Sequence, residues 1–512
     1  MEHLPSLTLS DLWYLTPELV LTGFAVLLTL LDLVLPRRVN QNLIGWLTLL
    51  GLLCSAVFVV LLMNELGAEG EASYHSLLAG SYRLDDFGSL LKLVFLGASA
   101  FIVFSSLGAV RDDDVPIKGE MYSLVLPATL GAMVMASSGD LITLFVGLEL
   151  LSITSYILVA VRKRNRLSSE AAFKYIVIGG TASAFILYGM SFLYGITGST
   201  NVGEIMLGLG ATAANYEALL YVSLFLMIAG FAVKLGLAPF HAWAADVYQG
   251  APTPITSFLA VVAKAAGFAM LYRIFANTAL FTDGSSQQLG QDITLALAVL
   301  AAAAMIVGTA GALRQRNVKR LLALSGVANA GILLIPLAVG WTTLSTSLNS
   351  QFLYYLLAYA FMNIGAFSVL AIVSRDAGNE TVSGFAGLYH RAPWTAAAMT
   401  VLLCSLAGLP VTGGFFGKLF ILFSTVQTQT YWLGAILLVT TIVSYAVYFA
   451  LIRQMYMRSG ETDAPLKMTA PAGIAIWLCA IATLALGFLP MPILDWLNGM
   501  FSIPNDLLVF RG

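Results

Sequence analysis

The sequence predicts an all-α polytopic membrane protein of about 14 transmembrane helices, and three observations predict it. Charged residues make up only 10% of the chain, against about 25% in a soluble domain. The apolar set AVILMFWYC makes up 59% of the 512 residues, so a soluble fold of this size could not cover its surface. Apolar runs of about 20 residues, the length that crosses a hydrocarbon core, recur along nearly the whole chain. The runs are continuous, not alternating, which selects helices over barrel strands.

In chain order the segments run roughly 15–35, 43–63, 87–109, 119–138, 139–161, 168–195, 218–250, 254–276, 292–313, 318–340, 351–374, 393–425, 431–456 and 470–490. Two are too long for one straight crossing, and each is interrupted near its middle. The seventh is broken at Gly236-Leu237-Ala238-Pro239, the twelfth at Gly408-Leu409-Pro410-Val411-Thr412-Gly413-Gly414. Glycine and proline there predict irregular backbone, which a membrane tolerates only where it lines a polar cavity.

An even number of spans puts both termini on one side. One side then collects Arg37, Arg38, Arg111, Lys118, Arg162, Lys163, Arg164, Arg166, Arg314, Arg316, Lys319, Arg320, Arg375, Arg391, Arg453, Arg458 and Lys467. The other holds Arg83, Arg273 and Arg511. The positive-inside rule makes the first side cytoplasmic, with both termini outside. No basic n-region precedes the first apolar run, so a cleavable signal peptide is not expected.

The net charge is −2, which points to no nucleic acid and no strongly acidic partner. Cys54, Cys404 and Cys479 lie far apart inside apolar runs, a pattern of small buried hydrophobes and not of a disulfide, metal or iron–sulfur site.

Sorting the basic residues leaves Lys92, Lys174, Lys234, Lys264 and Lys418 within spans, with no arginine. A charge at the centre of a membrane helix costs about 2.5–3.5 kcal/mol on insertion scales. Lysine, unlike arginine, can release its proton when buried. The inventory therefore points to titration more than to fixed charge.

Each candidate carries a plainer alternative. Glu149 lies nine residues past Asp140, about 13 Å into the fifth helix, beyond snorkelling for a glutamate; it could also be a structural ion-pair partner. Lys234 stands two residues before the first break, where it could also cap the free carbonyls of the half-helix. Lys264 sits near the centre of the eighth span among small residues, with no acidic neighbour on its own helix. Lys418 follows the second break. A phosphate-loop reading fails there, because position 412 is Thr and position 419 is Leu. His241, directly after Pro239-Phe240, is either a core histidine or a relay. Lys174 lies between the middle of its span and the cytoplasmic edge, and Lys92 is expected to snorkel outward. Asp32, Asp140 and Glu170 are placed at the interface, and Asp246 is expected to cap or anchor the second half of the seventh span.

Spans 4–8 (119–276) and 9–13 (292–456) each hold five helices with the broken one fourth. They start on opposite sides, which predicts two inverted five-helix repeats. Helices 1–3 (1–118) precede them, and helix 14 with a tail (457–512) follows.

The stretch from Lys234-Leu235-Gly236-Leu237-Ala238-Pro239-Phe240-His241-Ala242-Trp243 to Asp246-Val247-Tyr248-Gln249-Gly250-Ala251-Pro252-Thr253-Pro254 resembles the signature of the antiporter-like membrane subunits of respiratory complex I. Glu149 in its Leu-Glu-Leu-Leu-Ser setting, the Gly-Leu-Pro motif ending at Lys418 and the fourteen spans extend the resemblance over the chain. It is most similar to the N-type, since Lys418 is followed by Leu, not Asp, and the M-type carries Glu at that position. Ala244-Ala245 departs from the family pattern, which has Pro before the Asp.

The resemblance implies a proton-translocating subunit coupling NADH (or ferredoxin) to quinone electron transfer. A bacterial plasma membrane is expected because no transit peptide is evident. It implies no redox catalysis by this chain. Quinone, FMN and iron–sulfur clusters are expected in other subunits, no cofactor in this one. The implied partners are other membrane-arm subunits, a second antiporter-like subunit and small transmembrane subunits among them. The expected scheme is a switchable Glu149–Lys234 pair that passes a proton through His241 to Lys264 and Lys418, with Lys174 feeding from the cytoplasm. The alternative is a subunit of a multisubunit cation/proton antiporter of the sodium-expelling type.

Overall fold

The structure, a computed structural model, describes residues 9–34, 40–69, 74–110, 114–278, 287–340, 346–460 and 464–501. Arg37, Arg38, Arg111 and Arg511, used above to orient the chain, lie outside the described residues.

Among the described residues, 13 helices are long and apolar enough to cross a membrane. The twelfth expected span is absent from that set because it forms two short halves, Pro393–Ala407 and Gly413–Gln427. The seventh is Glu217–Leu235 followed by Ala242–Gly250. All fourteen expected spans are therefore present, and both breaks fall where glycine and proline predicted them. Two glycines make the breaks possible. Gly236 at φ +68° and Gly408 at φ +82° end the first halves in the left-handed region, where a side chain would add strain.

The sequence did not announce three short helices, Leu9–Tyr14, Val202–Thr212 and Pro490–Met500, or the hairpin His75–Leu77/Tyr82–Leu84. Nor did it announce the π-helical turn Leu259–Ala263, which interrupts the eighth span immediately before Lys264. Such bulges in α-helices recur at functional sites.

The two ends of the bundle are fastened separately. At one end a bridge joins Asp140 to Asn201 and another joins Tyr82 to Ser138. At the other, Val318 N–H donates to Glu380 at 2.8 Å and Val382 N–H to Arg316 at 2.8 Å. That second end carries the basic residues. Arg162 pairs with Asp114 at 2.6 Å, Arg375 donates to the carbonyls of Ala109 and Lys467, and Arg391 pairs with Asp376.

The eighth (Thr253–Thr278), tenth (Val318–Gly340) and eleventh (Thr346–Ala377) helices form the interior, whereas Thr16–Val34 and Tyr431–Met457 lie at the edge. Lys264 thus sits on the most enclosed part of the bundle. Cys479 is buried, Cys54 and Cys404 are half-buried, and none is bonded.

Candidate functional site

The first break presents Lys234 in the last turn of the half-helix Glu217–Leu235, yet Lys234 does not cap it. Backbone does that work. Gly236 N–H donates to Val233 at 3.0 Å and Leu237 N–H to Ala232 at 2.8 Å, and the Trp243 indole adds a bond to the Val233 carbonyl at 2.9 Å. With the carbonyls occupied, the Lys234 ammonium turns to the fifth span (Leu141–Val159). It donates to Ser152 Oγ at 2.8 Å and to Tyr156 Oη at 3.4 Å.

Glu149 lies one turn before Ser152 on that helix. Its Oε1 is enclosed without a hydrogen-bond partner among the described residues, and no ion pair joins it to Lys234 there. The two members of the expected pair are brought onto facing helices, in an open arrangement.

At the second break the roles differ. Gly408 and Leu409 N–H groups donate to the Cys404 carbonyl at 3.0 and 2.9 Å. The last two carbonyls are left for Lys418, whose Nζ meets Leu406 at 2.8 Å and Ala407 at 3.2 Å. The capping role weighed for Lys234 therefore belongs to Lys418. Thr412 caps the second half, and Gly414 N–H donates to Ser405 Oγ at 3.1 Å.

Lys264, only 3% exposed, has no carboxylate partner among the described residues. Its Nζ donates to the carbonyl of Gly326 at 2.6 Å. The residue beside Gly326 begins a polar row. Ser325 Oγ bonds Tyr448 Oη at 2.5 Å, Asn329 donates to the Ser325 carbonyl at 3.0 Å, and Tyr355 Oη donates to Asn329 Oδ1 at 2.7 Å. Ser325, Asn329, Tyr448 and Lys418 line one cavity of about 20 Å³, enough for a water molecule. Polar groups and a small void thus extend from Lys418 to Ser325, the residue beside the Gly326 that accepts from Lys264.

His241 precedes the second half-helix of the seventh span, with Nδ1 buried and unpartnered among the described residues. Lys174 is partly exposed at the basic end, paired with Glu170 at 2.7 Å and Asp246 at 2.7 Å. Asp246 also binds Arg320 at 2.6 Å. It ties the sixth, seventh and tenth spans together and does not cap its own helix. Asp140 caps the fifth span through Ile142 and Thr143 N–H groups, as an interfacial residue would.

Three sequence expectations are corrected. Lys92 does not snorkel: it is fully buried and pairs with Glu18 at 2.7 Å and with Tyr82 Oη at 2.7 Å. A counter-charge from the first span removes the need to reach water. Glu18, inside the run 15–35, was the available signal.

The cations within spans are also not lysine alone. Arg273, inside the eighth helix, is fully buried and binds Asp85 at 2.6 Å and the Ala136 carbonyl at 2.8 Å. Lys319, assigned to a loop, is likewise buried, against Glu380 at 2.5 Å and the Ala251 carbonyl at 2.9 Å. These cations have carboxylate partners, whereas Lys234, Lys264 and Lys418 rest on hydroxyls or carbonyls. That contrast, more than the lysine count, singles out the three.

Comparison with known proteins identifies the family. The transmembrane family NADH:quinone oxidoreductase/Mrp antiporter matches residues 138–444, from before Glu149 to beyond Lys418. The chain is 52% identical to the NADH-quinone oxidoreductase subunit N of a Paenibacillus species, over 99% of this chain and 100% of that one. Among solved structures, a chain of respiratory complex I from Thermus thermophilus superposes with a TM-score of 0.77 at 32% identity, covering 95% of this chain and 100% of that one. A chain of the Mrp complex from a Dietzia species shares the fold, with a TM-score of 0.83 at 20% identity over 99% of this chain and 100% of that one. The chain belongs to the NADH:quinone oxidoreductase/Mrp antiporter family of multi-pass membrane subunits and, within it, resembles subunit N most.

Proposed function

We propose that this chain is a proton-translocating, non-redox subunit of the membrane arm of a bacterial complex I. Three deeply placed amines, Lys234, Lys264 and Lys418, without carboxylate partners among the described residues carry the reading. An ammonium held only by neutral acceptors is cheaper to deprotonate than one in an ion pair. The proton moves from Lys234 through water and His241 towards Lys264, then along the Ser325–Asn329–Tyr448 row to Lys418. Glu149 acts as the movable counter-charge for Lys234, and Lys174 feeds the chain from the cytoplasmic side. In this reading 119–276 and 292–456 are inverted repeats, both termini face outward, and electrons pass through cofactors of other subunits. Driving one charge against 100 mV takes about 2.3 kcal/mol, which those subunits supply.

The antiporter alternative is disfavoured by the subunit N relative at 52% identity, since the likeness to the Mrp chain, at 20%, is one of fold. The test is Lys234→Met and Glu149→Gln in the assembled complex, in inverted membrane vesicles. We expect proton uptake to fall about tenfold or more, the effect of 1.4 kcal/mol on one barrier. Normal uptake with normal assembly removes these residues from the path.

A further inference from the structure

Resting on that reading, the inference concerns how a proton reaches Lys264, for which neither the sequence motifs nor the lysines supply a partner. On the Lys234 side, Tyr156 accepts from the ammonium at 3.4 Å and meets Tyr175 edge-on, with ring centroids 4.8 Å apart. Tyr175 stacks on Trp243 at 5.0 Å, and Trp243 is on the same half-helix as Tyr248, two turns after His241. Tyr248 packs on the eleventh span through Phe367 at 6.4 Å, about two turns along that helix from Tyr359.

Tyr359 completes the approach. A Cβ added at Gly326 would lie 3.0 Å from Lys264 Nζ and 3.2 Å from Tyr359 Oη, so both polar atoms converge on the bare flank of one glycine. The hydroxyls of Tyr248 and Tyr359 are buried without hydrogen-bond partners among the described residues. An unpaired buried hydroxyl is costly, and phenylalanine would fill the same space without it.

We propose that Tyr248 and Tyr359, the second of which meets Lys264 at the flank of Gly326, are the proton bridge into Lys264. The bridge requires water between the hydroxyls of Tyr248 and Tyr359, which no direct hydrogen bond joins. One N–H bond breaks at Lys234 and one forms at the neutral Lys264 amine. Each phenol oxygen accepts a proton as it passes its own hydrogen onward, so no hydroxyl stays charged and no electron moves.

The experiment uses the assembled complex in inverted membrane vesicles, with proton uptake and NADH:quinone turnover read together. Tyr248→Phe/Tyr359→Phe removes two unpartnered oxygens, and Gly326→Ala places a methyl between Nζ and Oη. Tyr272→Phe is the control, a buried tyrosine on the eighth span whose hydroxyl is equally unpartnered and lies outside the row. The expected result is normal assembly with uptake reduced about tenfold in the double variant and in Gly326→Ala, and unchanged in Tyr272→Phe.

If the double variant pumps normally while Lys264→Met does not, the bridge is overturned and the lysine chain stands. If Lys264→Met also pumps normally, the parent reading fails and takes the bridge with it. Equal losses in Tyr272→Phe and the double variant would also overturn the bridge, because the effect would then belong to packing.

Discussion

Lys234 rests on Ser152 at 2.8 Å, one helical turn beyond the carboxylate of Glu149. The ammonium thus has two berths on one face of the fifth span, one neutral and one anionic. The neutral berth is the occupied one. A shift of a single turn would exchange the charge state favoured at Lys234 without unfolding anything.

Ser152→Ala is therefore expected to bias the pair toward its closed form. A hydrogen bond to a charged group contributes about 1.5–3 kcal/mol, so proton uptake and quinone reduction should slow together by about tenfold or more. Tyr156→Phe, which loses a longer contact at 3.4 Å, should do less. Stopped-flow turnover on assembled complexes ranks the two, and a larger effect at Tyr156 would contradict the two-berth arrangement.

Lys418 combines a structural and a chemical duty, and substitutions separate them. Lys418→Ala leaves the Leu406 and Ala407 carbonyls without their donor, at about 1–3 kcal/mol for each unpaired group. The yield of assembled complex and its melting temperature should fall. Lys418→Arg can still donate to both carbonyls but cannot give up a proton, so assembly should survive while uptake is lost. Pumping by the arginine variant would confine Lys418 to a cap.

The Glu18–Lys92 pair is expected to be structural. Removing one partner of a buried pair costs about 3–5 kcal/mol, so Glu18→Gln or Lys92→Met alone should lower assembly. The double variant Glu18→Gln/Lys92→Met should recover much of it, and uptake per assembled complex should stay unchanged in every case. A loss of coupling in fully assembled double variant would bring this pair into the proton path.

What the sequence revealed follows the cost of each feature. A lysine in an apolar run and a Gly-Pro interruption are expensive in a membrane, so Lys234, Lys264, Lys418 and both breaks stand out without coordinates. Pairings are different. Glu18 and Lys92, or Asp85 and Arg273, come from distant spans, and nothing local says that one neutralises the other. Lys319 reads as a loop charge because it adjoins Arg320, and only the fold buries it against Glu380. The division of labour at the breaks was equally hidden, since Trp243 reaches back to the Val233 carbonyl only once the chain has turned. Tyr248 and Tyr359 are ordinary residues of apolar helices until their hydroxyls are found unpaired among the described residues.

An ammonium has three hydrogens, and at Lys418 two of them are committed to the carbonyls of Leu406 and Ala407. The neutral amine keeps two. Deprotonation can therefore spend the spare hydrogen and leave both carbonyls with a donor. The two bonds weaken when the amine is neutral but neither carbonyl is orphaned, so the cargo can depart while the mooring holds.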